Sequence, residues 1–388
     1  MTTFSPSAGR LRLTDRARGA VAGLDWVLIA AVVMVSGFGV YVIKAATRDD
    51  VPGAPDYYFT RQVAYMVLGL LALAVVLLVD VDRLAGMYWT LWGGLIAAVA
   101  MVFVLGSSIR GSNRWISLGA FRLQPSELGK VVLILVLAGL IVDRAAQVGT
   151  RRFSLLALGV AGLPALMIFA QPDLGTSMVY MAVLAALLFL AGVPWTQFAA
   201  FAAIVATLAV LVLWALPQAG LEVLKPYQVD RLTSFVDTKA SPGDAGYQLE
   251  ASKTAIGSGG AIGKGPDGAT QTINDFLPEH HTDFIFAVVG EMFGFVGGGL
   301  LILVYGVLLW RGLQIVARAS TQVDQLVAGG VVAMLGFQVF VNIGMNVGIM
   351  PITGIPLPFM SYGGSHTLTN LIAVGLLLRI RRRARGTA

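Results

Sequence analysis

Ten stretches of this 388-residue chain are almost wholly apolar, and polar residues collect between them. They run over 24–43, 62–79, 87–106, 126–142, 154–170, 177–193, 197–216, 284–310, 326–349 and 364–380. Each is near the ~20 residues an α-helix needs to span a bilayer. Transmembrane β-strands would instead alternate over segments of ~10 residues. The pattern therefore predicts an all-α polytopic membrane protein of about ten transmembrane helices, with Pro164 and Gly175 interrupting it around 154–193.

The polar segments are unequal. Those at 44–61, 107–125 and 350–363 are moderate, whereas 217–283, between helices 7 and 8, is about 67 residues long. Loops of that length are usually functional or disordered, and this one carries helical patterning. Val229, Leu232, Phe235 and Val236 recur at helical spacing, as do Tyr247, Ala251 and Ala255, with Gly257 where a helix would stop. Two short amphipathic helices at the membrane interface are expected.

Composition agrees with the pattern. The chain is 57% hydrophobic and 12% charged, with mean hydropathy +0.79, against about 25% charged in soluble domains. Its net charge of +6 gathers at the ends. Arg10, Arg12, Arg16 and Arg18 precede the first run, and Arg379, Arg381, Arg382, Arg383 and Arg385 close the last. An even number of spans puts both ends on one side, and basic ends make that side cytoplasmic. The charge is then a topology signal and predicts no nucleic-acid partner. One membrane domain is expected over 1–388, with a cytoplasmic arm at 1–23, the long loop outside, and a basic tail at 381–388. The first run lacks an A-x-A cleavage pattern and reads as an uncleaved helix. Zero cysteines exclude thiol nucleophiles, disulfides and cysteine–zinc sites. No internal repeat is visible, which counts against transporters built from duplicated halves.

Candidate chemistry lies at the outer ends of the runs. In "RLQPSELGK", Glu127 and Lys130 share a face in the first turn of the fourth span, as a structural ion pair or a functional intramembrane charge. In "QPDLGTS", Asp173 either caps the sixth helix or joins a site. "GSGGAIGKG" is not a P-loop, since Ser258 and Gly265 break the pattern. It reads as a flexible turn, or as a backbone cradle near phosphate with Lys264 adding charge. The densest signal is "FLPEHHTDFIFAVVGE". Thr282 there can cap the eighth helix with Asp283 in its first turn, which leaves Glu279, His280, His281 and Glu291 unexplained. Acids and histidines at a hydrophobic mouth suit a general base, a metal ligand or a cation site. "GMNVGIMPITGIPLPFMSYGGS" is irregular at membrane depth and reads as a shaped wall sheltered by protein. His366 beyond it reads as a packed or hydrogen-bonded core residue more than as a ligand.

Together with "YQVDRLTSFVD" and "GYQLEASKTAIGSGGAIGKG", these motifs resemble the SEDS family (shape, elongation, division and sporulation) over about residues 24–380. "GKG" followed by Thr270–Gln271, and "SYGG", resemble the elongation branch, RodA, more than the division branch, FtsW. The resemblance implies a ten-helix peptidoglycan glycosyltransferase of the cytoplasmic membrane that polymerises lipid II into an undecaprenyl-linked glycan strand outside the cell. It further implies a class B penicillin-binding protein and other elongation-complex membrane proteins as partners. The essential aspartate of the family corresponds to Asp283, and its functional acid and base to Glu127 and Lys130. Arg122, Lys264, Trp115, Asp173, Glu279 and His281 are the further candidates for substrate binding. A divalent cation, Mg²⁺ or Mn²⁺, is expected as cofactor, with Asp283 a candidate ligand, and no nucleotide. The chain departs from its relatives at Gly290–Glu291–Met292 and Ser365–His366. A lipid II flippase and a division polymerase are the alternative readings.

Overall fold

The computed structural model describes residues 23–109, 112–119, 121–211, 218 and 244–386. Among them, each of the ten expected spans meets a helix. These are α1 (Trp26–Ala46), α2 (Tyr57–Val76), α4 (Tyr88–Leu105), α5 (Pro125–Asp143), α6 (Arg151–Ala170), α7 (Leu174–Leu190), α8 (Trp195–Val210), α11 (Ile285–Ala317), α12 (Gln322–Val347) and α13 (Gly364–Gly386). Seven of these are long and apolar enough to cross a membrane by that measure alone, and α7 and α8 are shorter apolar helices. Short helices α3 (Val81–Gly86), α9 (Asp244–Ser258) and α10 (Thr270–Ile273) complete the set. The protein is a multi-pass membrane protein.

Burial separates the inner helices from the outer ones. The apolar window of α5 is 83% buried and that of α12 is 72% buried, against 11% for α2 and 17% for α4. In α5, Leu133, Ile134, Val136 and Leu137 have no exposure, so this helix is apolar on every side and belongs inside the bundle. Leu70, Leu71 and Val75 of α2 are more than half exposed, as a lipid-facing surface requires.

Three departures from the expected pattern position the site. Residues 107–123 form a small antiparallel sheet, β1 (Ser107–Ile109), β2 (Ser112–Leu118) and β3 (Phe121–Leu123), in the order β1-β2-β3. Ile116 pairs with Leu123 and Leu118 with Phe121. Helical periodicity cannot register such short strands.

The expected amphipathic helix around Val229–Val236 lies outside the described residues, whereas its partner is present as α9. Of its expected apolar positions Ala251 and Ala255 are buried but Tyr247 is 55% exposed, and Leu249 is buried in its stead. The glycine-rich stretch after it is neither a flexible turn nor a phosphate cradle. Helix α11 is broken at Gly294 (φ 65°, ψ −162°), and the stretch fills the break. Phe295 N–H donates to the Gly260 carbonyl (2.9 Å), Val296 N–H to Ala261 (3.0 Å), and Lys264 and Gly265 N–H to the carbonyls of Glu291 (3.0 Å) and Met292 (2.9 Å). The groups freed by the kink are thus satisfied by another piece of backbone, as membrane depth demands.

The third departure is the start of α11. Thr282 does not cap it; the helix begins at Ile285 after Phe284, with no side-chain cap. Thr282 Oγ1 donates instead to Glu279 Oε2 (2.8 Å). Residues 350–363 behave as expected: Ile352, Ile355, Leu357, Phe359 and Met360 are buried, so the irregular backbone is sheltered by protein.

Candidate active site

A cavity of about 650 Å³ opens between the first turn of α5, the sheet, α2, the segment before α11 and the start of α13. Its wall includes the carboxylates Glu127, Asp173, Glu279 and Asp283, and the guanidinium groups of Arg61, Arg114 and Arg122. Trp115, Tyr57, Tyr58, Tyr65 and Tyr362 supply flat apolar faces with polar edges.

The sequence reaches this arrangement through backbone grips more than through side-chain contacts. The carbonyls of three successive residues are held. His281 accepts from Tyr362 N–H at 2.9 Å, and Thr282 accepts from Ser361 Oγ at 2.5 Å. The Asp283 carbonyl accepts from Asn342 Nδ2 (2.9 Å) and Asn346 Nδ2 (3.1 Å). Asn346 also accepts from Ala287 N–H at 3.0 Å, which joins α12 to the first turn of α11. Asp283 is half-buried on the cavity wall with its main chain fixed. Such a carboxylate meets a reacting group at a defined place.

Glu127 and Lys130 do form the i,i+3 pair, Nζ to Oε1 at 2.6 Å, and both are buried. Lys130 is 1% exposed and does not face the cavity; it lies beneath Glu127 and neutralises it. Lys130 is not among the residues that line the cavity, whereas Arg61, Arg114 and Arg122 are. His366 completes the group, with Nδ1 at 3.2 Å from Glu127 Oε2 and Nε2 at 3.0 Å from Asn370 Nδ2. It is not merely a core residue, since it lines the cavity.

Asp173 caps α7 and also lines the cavity. Its Oδ1 accepts from Thr176 N–H at 3.1 Å, capping α7. Its Oδ2 accepts from Gln124 Nε2 at 2.9 Å, and Arg114 stands 3.8 Å away. Ser365 links the two elements that flank Glu127, accepting from Gln124 N–H (2.9 Å) and donating to the Arg122 carbonyl (3.0 Å).

Lys264 and Glu291 lie elsewhere. Lys264 Nζ is 3.8 Å from Glu291 Oε1, and neither residue lines the cavity. Glu291 has no exposure and accepts from Gln271 N–H (2.8 Å) and Thr272 N–H (3.0 Å) at the start of α10. A carboxylate there satisfies orphan N–H groups. Asp283 precedes the first residue of α11, so Glu291 shares no helical face with it.

Two groups outside the spans are electrostatically shifted. Burial, with Tyr65 alongside, pushes the Tyr362 phenol well up, so it stays a neutral donor. Burial disfavours the charged form of His280, but the Asp50 carboxylate beside it outweighs burial and raises its pKa.

Sequence reasoning missed Arg61 and Arg114. Arg61 is the only charged residue in α2, and that signal was open to reading. Arg114 gave none, because its place depends on the sheet.

A protein-family model described as "Cell cycle protein" and covering FtsW, RodA and SpoVE matches residues 23–386. The chain belongs to that family. It is 40% identical over 378 residues to the probable peptidoglycan glycosyltransferase FtsW of Thioalkalivibrio sulfidiphilus, covering 92% of this chain and 90% of that one. It is 35% identical over 359 residues to the peptidoglycan glycosyltransferase MrdB of Escherichia coli K12, covering 92% and 93%. Among solved structures it resembles a chain of a peptidoglycan synthase complex that coordinates polymerization and crosslinking. That likeness has a TM-score of 0.78 at 31% identity and covers 93% of this chain and 98% of that one. It also resembles Thermus thermophilus RodA, with a TM-score of 0.66 at 30% identity, covering 92% and 97%. The chain is a peptidoglycan glycosyltransferase acting in cell-wall synthesis, as the family resemblance in its motifs implied.

Proposed function

We propose that Asp283 is the general base of a direct, inverting transfer. The acceptor sugar hydroxyl loses its proton to Asp283, its oxygen bonds to the anomeric carbon of the donor, and the bond to undecaprenyl pyrophosphate breaks. A hydroxyl is a poor nucleophile, and a positioned carboxylate is worth typically ~10²–10⁴-fold. The pyrophosphate gains charge as it leaves. Arg61, Arg114 and Arg122 on the same wall supply preorganised positive charge for it. That Asp283 and three arginines line one cavity is the observation that carries the reading.

The donor set near Asp283 fits a Mg²⁺ or Mn²⁺ ion, since Asp283 and Glu279 offer the hard carboxylate oxygens that such ions take. A bound ion would withdraw charge from the departing phosphate. Lipid II polymerisation that runs unchanged in EDTA would remove the ion from the account.

The decisive experiment is lipid II polymerisation by purified Asp283→Asn. The amide keeps the size of the side chain but accepts no proton, so the rate should fall by about 10²-fold or more with unfolding unchanged. A near wild-type rate would remove Asp283 as base and favour the flippase. A second observation opposes the flippase: below Lys130, the α5 residues Leu133, Ile134 and Leu137 are apolar and fully buried. A crossing head group needs polar residues to continue there.

Orientation and role extend the proposal. The cavity faces outward from the cytoplasmic membrane, with the basic ends inside. The elongation role rests on "GKG", Thr270–Gln271 and "SYGG", and rescue of elongation-depleted rather than division-depleted cells is its test.

The proposed partner is a crosslinking enzyme, since the similar structure is of a complex that coordinates polymerization and crosslinking, and its proposed anchor is one transmembrane helix. Its docking face is the exposed strip of α11 with Phe295, Val296, Leu300 and Leu303. Small residues let helices approach there. Gly297 and Gly298 are poor probes, because a Cβ on Gly297 would meet Phe293 at 2.2 Å and Gly298 packs on Phe286. A Cβ on Gly299 meets nothing within 4 Å. Gly299→Leu should therefore weaken co-purification with the crosslinking enzyme while leaving the fold intact. An undiminished complex would place docking elsewhere.

A further inference from the structure

The loop between α1 and α2 meets the segment before Asp283 at a cluster with no part in the transfer proposed above. It contains Asp50, His280 and His281. His280 is 4% exposed, and its Nδ1 lies 3.1 Å from the Leu277 carbonyl. A carbonyl oxygen only accepts, so Nδ1 carries a proton, and Nε2, which keeps its lone pair in the neutral ring, is the atom turned to Asp50. That Nε2 is buried with no hydrogen-bond partner, 3.3 Å from Asp50 Oδ2. A buried lone pair facing a carboxylate is unfavourable unless a cation stands between them.

A third donor points to the kind of cation. His281 Nδ1 is 3.8 Å from the same Asp50 oxygen, and the three ligand atoms lie within 4.8 Å of one another. A proton bridges two atoms; a metal ion gathers three or four. In a tetrahedral zinc site with bonds of ~2.0–2.1 Å, neighbouring donors stand about 3.3 Å apart, so the cluster needs little movement to close. Two imidazoles and one carboxylate suit zinc and its neighbours, whereas Mg²⁺ and Ca²⁺ prefer oxygen alone. The outer shell is also in place. The Leu277 carbonyl fixes the tautomer of His280, the part such carbonyls play around metal-bound histidines. The Tyr58 ring packs on His281 with centroids 4.4 Å apart.

We propose that Asp50, His280 and His281 hold a zinc-class divalent ion that ties the α1–α2 loop to the segment carrying Asp283. Three protein ligands leave the fourth position to water. His281 lines the cavity, so the ion stiffens the cavity wall two residues from Asp283. It is a separate site from any oxygen-bound Mg²⁺ or Mn²⁺ at Asp283, because the donors differ.

The test uses the full chain in detergent, with any affinity tag removed and metal stripped by chelator. It is titrated with Zn²⁺, and with Co²⁺ as an optical probe. One equivalent should remain after desalting, Co²⁺ should show the intense visible bands of a tetrahedral site, and Zn²⁺ should raise the unfolding midpoint. His280→Gln and Asp50→Asn, neither of which lines the cavity, should bind at least about tenfold more weakly, since even outer-shell losses cost ~10–100-fold. Asp283→Asn should bind Zn²⁺ as wild type does. Equal retention by wild type, His280→Gln and Asp50→Asn overturns the proposal. Loss of the ion in Asp283→Asn also overturns it, by moving the ion to the catalytic carboxylate. Because either variant can fail to fold, the wild-type spectrum is an independent test: weak, octahedral Co²⁺ absorption refutes the site without them.

Discussion

A buried lysine directly beneath a carboxylate changes what its mutation should do. Lys130 and Glu127 are each nearly inaccessible, so removing one charge leaves the other unpaired, at a cost of about 3–5 kcal/mol. Lys130→Met should therefore both unfold more easily and polymerise poorly. The double variant Lys130→Met, Glu127→Gln carries no orphan charge and should recover most of the stability but not the activity. Thermal unfolding of the three proteins checks this, and a double variant as unstable as Lys130→Met would show that the pair is not the source. The acidic and basic residues of the motifs were legible in sequence because charges inside apolar runs are conspicuous. Their depth was not. Spacing puts Glu127 and Lys130 on one face, but only packing by α13 and His366 decides which of them meets the cavity. Asn342 and Asn346 were invisible, since asparagines in a helix announce no partner until the Asp283 carbonyl arrives from another element.

At the scale of elements, helices follow from length and apolarity, and the irregular parts follow from what the helices leave unsatisfied. The break in α11 at Gly294 frees backbone groups, and the stretch 259–265 answers them. Gly263 is the close approach in that contact: its φ is +83°, and a Cβ there would stand 2.2 Å from the Met292 carbonyl oxygen. Gly265 has a similar φ of +74° but open space around it. Gly263→Ala should destabilise the protein by more than about 2 kcal/mol, adding displaced backbone to conformational strain, whereas Gly265→Ala should cost only the ~1–2 kcal/mol of a left-handed residue. Detergent-phase melting of the two single variants measures the difference, and equal costs would mean that the stretch and α11 move apart freely. The sequence could not foretell this contact, because a run of glycines is compatible with a loose turn and with a tight backbone seam. The sheet at 107–123 was illegible for a related reason: two of its three strands are three residues long and carry too few positions for alternation to appear.

Across the whole molecule, charges gather at two levels. One is the cavity; the other is the end of the bundle where α1 begins and α13 finishes. There Asp25, 2% exposed, accepts from Leu28 N–H (3.0 Å), capping α1. It also accepts from Arg311 through Nε (3.1 Å) and Nη2 (2.6 Å), with Arg381 at 3.8 Å. Arg383 bonds to Asp82 and stands 3.4 Å from Asp324. The run of arginines at the chain's end, read from the sequence as a topology signal, therefore also fastens α13 to α1, α3 and α12, and Arg311 adds α11. Burial alone would raise the pKa of Asp25. The hydrogen bonds from Arg311 and Leu28 and the charges of Arg311 and Arg381 exceed that effect and lower it below its ordinary 3.8. A depressed carboxylate pKa gives stability that is complete above the unfolded value and is lost as the pH falls through the lower folded value. Asp25→Asn should therefore melt earlier than wild type at neutral pH, by the ~1.5–3 kcal/mol of charged hydrogen bonds. The gap between the two proteins should close only below about pH 4, as Asp25 itself protonates. Melting curves of the two proteins across that range isolate the effect. A gap that stays constant down to the lowest pH tolerated would mean that Asp25 holds the bundle through its shape and not its charge.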